Sequence, residues 1–247
     1  LLADGAYRVL TINHDAHRFF AAEEVIMLPD DTEKSRNLLI AAVGKLQATG
    51  FIVDSFPFGL THALPDQLFD ICPVSYIARR LKWRSYVNDH PLIPGIRFRT
   101  TYEIEALEPE HALFVRQQSD HVQVLEVPYT TSLTETEAIN TTSPLWLIVH
   151  TTHAEEVELL YRYACDCADI KQVKPYFLVL SDQTIMLDRP GTCMCHLPAD
   201  VWFPKADAIF TGGGFNSMHM MRNYKSKHVA LPFPRRYDDQ AWRIDRM

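Results

Sequence analysis

The run Ala206-Asp207-Ala208-Ile209-Phe210 passes through Thr211 into Gly212-Gly213-Gly214 and then into Phe215-Asn216-Ser217. An apolar run closed by three glycines and followed by helix-opening residues reads as strand, tight turn and helix, the elementary βα unit. At such a turn the backbone can approach a ligand because no Cβ intervenes. Asn216 or Ser217 is placed to cap the first N–H groups of the helix, and a helix N-terminus favours an anion. Two readings stay open here: a phosphate site, or a turn kept small for packing, since the spacing is neither G-x-G-x-x-G nor G-x-x-x-x-G-K-[ST].

The same grammar extends along the chain. Tyr7–Ile12, Glu24–Leu28, Phe51–Asp54 and Pro73–Ala78 read as strands, with a helix over Asn37–Thr49 from the spacing of Leu38, Leu39, Ala42, Val43 and Leu46. Pro128–Pro144 is rich in Thr and Ser without apolar period and reads as a linker. Beyond it come a strand at Leu145–Val149, a helix at Ala154–Ala168, strands at Tyr176–Leu180 and Ala208–Phe210, a helix at Asn216–Tyr224 and a strand at His228–Pro232. Strands alternating with helices predict an α/β fold with parallel sheets. The expected division is residues 1–128, a linker at 129–144, and a second domain at 145–247.

After the last strand the polar turn Arg235-Arg236-Tyr237-Asp238-Asp239-Gln240 offers cations, carboxylates and an amide near the glycine turn. Ligands of open α/β sheets bind at the carboxyl ends of strands. Arginine suits phosphate, and Asp or Gln suits sugar hydroxyls.

Composition narrows the partners. The formal net charge of −7 gives no global attraction for nucleic acid, and 47% apolar residues suffice for two cores. No apolar run reaches membrane-spanning length and no signal peptide opens the chain, so a cytoplasmic protein is expected, with room for membrane contact through a surface patch. The odd set Cys72, Cys165, Cys167, Cys193 and Cys195 does not form a disulfide framework, and the two C-x-C pairs have the wrong spacing for zinc knuckles. Buried thiols are the expectation. His150 and His153 lack a third ligand at zinc-like spacing and read as satisfied surface histidines. The sequon at Asn140-Thr141-Thr142 is read as chance.

The segment Ala206–Gln240 resembles the donor-binding half of GT-B glycosyltransferases. It is similar to the UDP-sugar transferases, with their His-x-Gly-x-Asn-Ser turn and later Asp/Glu-Gln pair, and to the bacterial N-acetylglucosaminyltransferases of peptidoglycan synthesis. Gly213-Gly214-Phe215-Asn216-Ser217 matches the turn and Asp239-Gln240 the pair. Gly212 stands where the UDP-sugar transferases have a phosphate-contacting histidine, and Met220 where they have the glutamate that grips the ribose. The resemblance implies two Rossmann-like domains, the second holding a nucleotide-sugar donor and the first an acceptor. It further implies metal-independent transfer of a sugar, from a UDP-sugar by preference, to an acceptor hydroxyl of a sugar, lipid or small molecule. The nucleotide-sugar is then a substrate, and no cofactor is expected. Against that frame the chain reads as incomplete at both ends.

Donor-binding residues expected on this basis are Thr151, Thr152, Gly212, Gly213, Gly214, Phe215, Asn216, Ser217, Arg235, Arg236, Asp238, Asp239 and Gln240. Thr152 with Glu155 also reads as a capping box, compatible with a phosphate role. An acceptor hydroxyl needs a positioned base, for which Asp54 and His14 are the candidates, both at strand ends of the first domain. Arg79, Arg80, Lys82 and Arg84 read either as an anionic-acceptor site or as a solvated face. Two other functions stay open: a nucleotide-sugar 2-epimerase of the same fold, and a non-catalytic nucleotide-sugar or glycan-binding protein.

Overall fold

The computed structural model describes residues 7–12, 16, 20–21, 24–60, 64–90, 92–128, 139, 141–151, 153–195 and 199–246. The chain forms two compact units, Leu1–Val127 and Pro128–Met247. Of the stretch read as a linker, residues 129–138 and 140 lie outside the described residues. Mixed α/β structure with parallel pairing is observed in both units.

Unit 1 opens with β1 (Val9–Thr11) and β2 (Val25–Met27), a parallel pair apart from the main sheet. Helix α1 (Thr32–Lys45) starts earlier than the apolar period suggests, because the Asp31 carboxylate caps it by accepting from the Lys34 amide at 2.8 Å. It is followed by β3 (Phe51–Asp54), α2 (Leu68–Ile71), β4 (Val74–Ala78), α3 (Trp83–Asp89), β5 (Phe98–Glu103), α4 (Pro109–Gln118) and β6 (Ser119–Val124). Strand order in this sheet is β3-β4-β5-β6, the order of the chain. Strand β4 alternates, burying Val74, Tyr76 and Ala78, while the edge strand β6 buries only Ser119. The core beneath is aromatic, with Phe58, Tyr76, Tyr86 and Phe98 fully buried. It also contains His111, stacked on the Trp83 ring at 4.2 Å and 3°.

Unit 2 contains β7 (Leu145–Val149), α5 (Ala154–Lys171), β8 (Tyr176–Leu180), β9 (Gly191–Met194), β10 (Ala208–Gly212), α6 (Phe215–Met220), β11 (His228–Leu231) and α7 (Gln240–Ile244). Short 3-10 segments cover Ala199–Lys205 and Met221–Lys227. The five strands lie in the order β11-β10-β7-β8-β9. Counted along the unit's own strands this is 3-2-1-4-5 read from the β9 edge, the doubly wound arrangement. Its central strands are buried on both faces: β10 has no exposed residue, and Leu147, Ile148, Leu178 and Val179 are fully enclosed. One face packs on α5 through Val157, Leu160, Tyr161 and Ala164. The other packs on the Ala199–Lys205 segment through Trp202 and Phe203. Near-continuous apolar runs such as Leu-Trp-Leu-Ile-Val are what a doubly covered parallel strand demands.

All five cysteines are free thiols, with Cys72 and Cys165 buried and Cys195 exposed. Among the described residues no helix is long and apolar enough to cross a membrane.

Candidate functional site

In unit 2 the chain leaves β7 toward β8 on one side and reaches β10 on the other, so the strand order reverses between β7 and β10. Connections above the two strand ends depart in opposite directions there, which opens a crevice outside their carboxyl ends. The register Thr211↔Val149 sets these ends level, so His150 and Gly212 lie side by side.

That juxtaposition explains Gly212. A Cβ at this position would stand 3.2 Å from His150 Cε1 and 3.2 Å from Phe233 Cδ2. The space beside the first glycine is therefore filled by an imidazole delivered from the neighbouring strand end. At Gly213 a Cβ would meet Ile244 Cδ1 at 2.8 Å and the Gln240 Cβ and carbonyl at 3.1 Å, so α7 rests directly on this residue. Only Gly214 faces open space, its nearest neighbour being Gln240 Nε2 at 4.0 Å. None of the three has positive φ among the glycines where it occurs, Gly59 and Gly95. The expectation of bare backbone across the whole turn is thus corrected: packing claims Gly212 and Gly213, and Gly214 is the accessible position.

Gly214 is also the N-cap of α6, with φ −64° and ψ 152° and no side-chain cap. This corrects the expectation that Asn216 or Ser217 caps the helix; both lie inside its first turn, because the helix starts at Phe215. The first amides of a helix have no intrahelical acceptor, and here the Phe215, Asn216 and Ser217 amides form that set. Asn216 is exposed and Ser217 half-buried. The Phe215 ring stacks on His219 with centroids 5.8 Å apart. Met220, at the end of α6, packs against the core on the Trp202 side.

On the β7 side His150 is tied down rather than lying on the surface. Its Nε2 lies 2.6 Å from Glu156 Oε2, and its side chain is only 10% exposed. Burial pushes the imidazole below its ordinary value, more than the Glu156 carboxylate lifts it. The ring is therefore neutral near pH 7 and donates its Nε2 hydrogen to a carboxylate. Glu156, in the first turn of α5, also accepts both arms of the Arg235 fork at 2.5 and 2.6 Å. That guanidinium, ahead of His150, holds the Glu156 carboxyl below the usual range. The N-cap of α5 is His153, without a side-chain cap bond. Thr151 is exposed in the same turn, and Thr152 lies outside the described residues.

On the β11 side the Gln240 Oε1 accepts from the Phe233 amide at 2.9 Å. This fixes the carboxamide, whose NH₂ end lies 4.0 Å from where a Cβ on Gly214 would stand. Asp239 is the N-cap of α7, Oδ1 accepting from the Trp242 amide at 3.4 Å. Asp238 pairs with Arg243 at 2.6 Å. Arg236 is exposed, its guanidinium 5.2 Å from the Tyr237 ring centre. Contacts thus tie Gly212 to His150 and Gly213 to Gln240 beside the β7 and β10 ends, while Arg235 and Asp238 spend their charge on Glu156 and Arg243.

Sequence reasoning missed the crosslinks. The His150–Glu156–Arg235 chain and the buried Arg243 join loops far apart in the chain. Their only sequence trace is a carboxylate in the first turn of a helix and an arginine one turn after Gln240.

In unit 1, Asp54 ends β3 with its side chain 63% exposed. Its Oδ1 accepts from Ser55 Oγ at 2.9 Å and its Oδ2 from Arg79 at 3.3 Å. Ser55 adopts φ 67°, a strained left-handed conformation for a residue with a Cβ. It is held there by its amide on the Ile77 carbonyl, by Arg79 on its hydroxyl and by Tyr76 on its carbonyl. Of the basic run, Arg80 faces Glu108 at 3.8 Å and Arg84 forks onto Glu110, so much of that charge is locally balanced. His14, the other candidate base, lies outside the described residues.

A doubly wound parallel sheet with a glycine turn at its switch point, preceded by a second parallel α/β unit, is the GT-B type of architecture. In agreement, the chain is similar to the solved structure of the glycotransferase of kitacinnamycin, with a TM-score of 0.57 and 12% identity over 87% of this chain and 65% of that one. A weaker likeness, TM-score 0.49 at 12% identity, links 85% of this chain to 60% of the glycosyltransferase SnogD from Streptomyces nogalater. The chain thus spans less than two thirds of either neighbour. No family model matches the sequence, and neither does any curated protein.

Proposed function

We propose that the protein is a glycosyltransferase whose unit 2 binds a nucleotide-sugar donor, a UDP-sugar by preference, at the carboxyl ends of β7 and β10. The observation that supports this most is the strand-order reversal at which the Gly214 amide end of α6, the first turn of α5 and the Gln240 carboxamide meet. Backbone amides and helix N-termini favour a diphosphate. In the proposed reaction an acceptor hydroxyl, held by unit 1, displaces the diphosphate directly at the anomeric carbon, without a metal. Negative charge builds on the departing diphosphate, and preorganised amides and Arg235 or Arg236 at the edge of the crevice lower that barrier. Asp54 is the described candidate for the base that takes the hydroxyl proton.

A thermal-shift series with UDP, GDP, TDP and CDP tests the donor site, using the wild type and Asn216→Ala. A ligand at about 100 times its Kd stabilises by about 2.7 kcal/mol. A shift for one nucleotide, diminished in Asn216→Ala, supports the reading. Unchanged melting with all four nucleotides and with saturating UDP-, GDP- and TDP-sugars defeats it.

A second reading, a binding protein without transfer activity, draws on Met220, whose half-buried side chain packs against the core where a ribose-gripping glutamate stands in the UDP-sugar transferases. Release of free nucleotide only when an acceptor is added separates transfer from mere binding.

A further inference from the structure

The inner face of α7 is given over to the glycine turn. Gln240 and Ile244 press on Gly213. Between them Arg243, only 6% exposed, reaches the Gly213 carbonyl with Nη1 at 3.4 Å. The same guanidinium pairs with Asp238 at 2.6 Å and lies 6.0 Å from the Phe215 ring centre. A buried arginine with both a carboxylate and a backbone carbonyl is held in orientation, because its planar fork has fixed donor directions.

The peptide joining Gly213 to Gly214 is planar, and in the trans form its C=O and N–H point in opposite directions. A carbonyl turned toward Arg243 therefore turns the Gly214 N–H the opposite way, away from that guanidinium. A glycine pair without side chains has many other orientations available to that plane, so something must select one.

We propose that Arg243 is a positioning residue that fixes the Gly213–Gly214 peptide plane, so that the Gly214 amide is presented as a hydrogen-bond donor to an anionic ligand oxygen. Its ligand part rests on the donor-site reading above. The positioning part stands on its own.

The test uses the full chain with Arg243→Met and Arg243→Lys. Amide resonances are recorded for the ligand-free protein, and affinity is measured with uridine diphosphate and with inorganic pyrophosphate. The expected result is a displaced or broadened Gly214 amide signal in Arg243→Met, with the amides of α5 and β8 unchanged. Lysine keeps the charge and can reach the carbonyl, so Arg243→Lys restores the signal in part. Affinity falls roughly tenfold in Arg243→Met, the scale of one hydrogen bond to a charged group.

A Gly214 signal identical in wild type and Arg243→Met overturns the proposal. So does a change spread evenly through unit 2, which marks general loosening. If Arg243→Met does not fold, Arg243→Lys against wild type carries the same comparison. If the Gly214 signal moves but the wild type binds neither probe, the donor-site reading fails while the positioning role stands. If the wild type binds and both variants bind equally well with the signal unmoved, the positioning role fails and the donor site survives.

Discussion

The two units are built from the same βα grammar and differ in strand order. In unit 1 the four main strands follow one another across the sheet, whereas in unit 2 the chain returns to the far side of its first strand. A reversal of this kind is where ligands of open α/β sheets bind. The difference also shows in burial: β10 is enclosed throughout, while β3 exposes Ile52 and Asp54 and the edge strand β6 exposes every residue after Ser119. Composition of the individual strands thus reflects coverage, and the switch point reflects connectivity.

Titration offers the largest contrast. His111 in unit 1 is fully buried, with burial first and Arg80 second lowering its pKa to about 3. His228 in unit 2 is lowered by burial to about 4. Both values lie below the unfolded one, so each histidine supports folding fully above about pH 6.5 and loses that support as pH falls toward its folded pKa. Unit 1 is expected to lose up to roughly 5 kcal/mol from His111 and unit 2 up to roughly 3 from His228. Denaturant melts between pH 7 and 2.5, followed by tryptophan fluorescence and by amide exchange in each unit, check this, the two losses separating only below about pH 4. Acid loosening of unit 2 ahead of unit 1 would reverse the ranking.

Core truncation sharpens the contrast in sheet coverage. Ile148→Ala, at a fully enclosed site in β7, is expected to cost about 2–5 kcal/mol. Ile52→Ala, at a position 37% exposed in β3, is expected to cost about 1 kcal/mol. Equal costs in urea unfolding would mean that the outer face of unit 1's sheet is covered in solution.

The ion pairs should separate in the same way. Glu156→Ala strands Arg235 and His150 in a half-buried setting, with an expected cost of about 1–3 kcal/mol. Asp54→Ala removes an exposed partner of Arg79 and should cost under about 1 kcal/mol. Matched thermal melts decide it, and a larger loss at Asp54 would reveal that the strained Ser55 depends on its neighbour.

Glycines provide the finest discrimination, through opposite signs. Gly213→Ala drives a methyl into Ile244 and Gln240, an overpacking cost of about 1–3 kcal/mol. Gly44→Ala, in α1 with nothing within 4 Å, should stabilise by about 0.5–1 kcal/mol. A neutral result at Gly213 would show that α7 can move away from the turn.

Sequence patterning revealed the apolar strands best: the covered β7 and β8, and the half-exposed β3, begin and end where their apolar runs do. β5, β6 and β9 were not legible, because Phe-Arg-Thr-Thr-Tyr-Glu, Ser-Asp-His-Val-Gln-Val and Gly-Thr-Cys-Met carry too few apolar residues to stand out from loops. Helix α1 began in a polar turn for the same reason. In the candidate site the glycine turn and Asp239-Gln240 were visible as local motifs. The occupants of the glycine Cβ positions were not, since His150 and Ile244 reach the turn from opposite sides only after the sheet has formed. Likewise Arg235 and Glu156 lie 79 residues apart, and no local pattern joins them.

The strand reversal also has a consequence in time. In unit 1 each strand finds its partner among nearby residues, Val53 with Tyr76 and Tyr76 with Thr101. In unit 2, Leu147 pairs with Leu178 on one side but must wait for Ile209 on the other. Closing the longer loop is the slower step, because its entropy is lost before its contacts form. The β7–β10 pairing at the switch point is therefore expected to form after β7–β8, which hydrogen-exchange labelling during refolding would check.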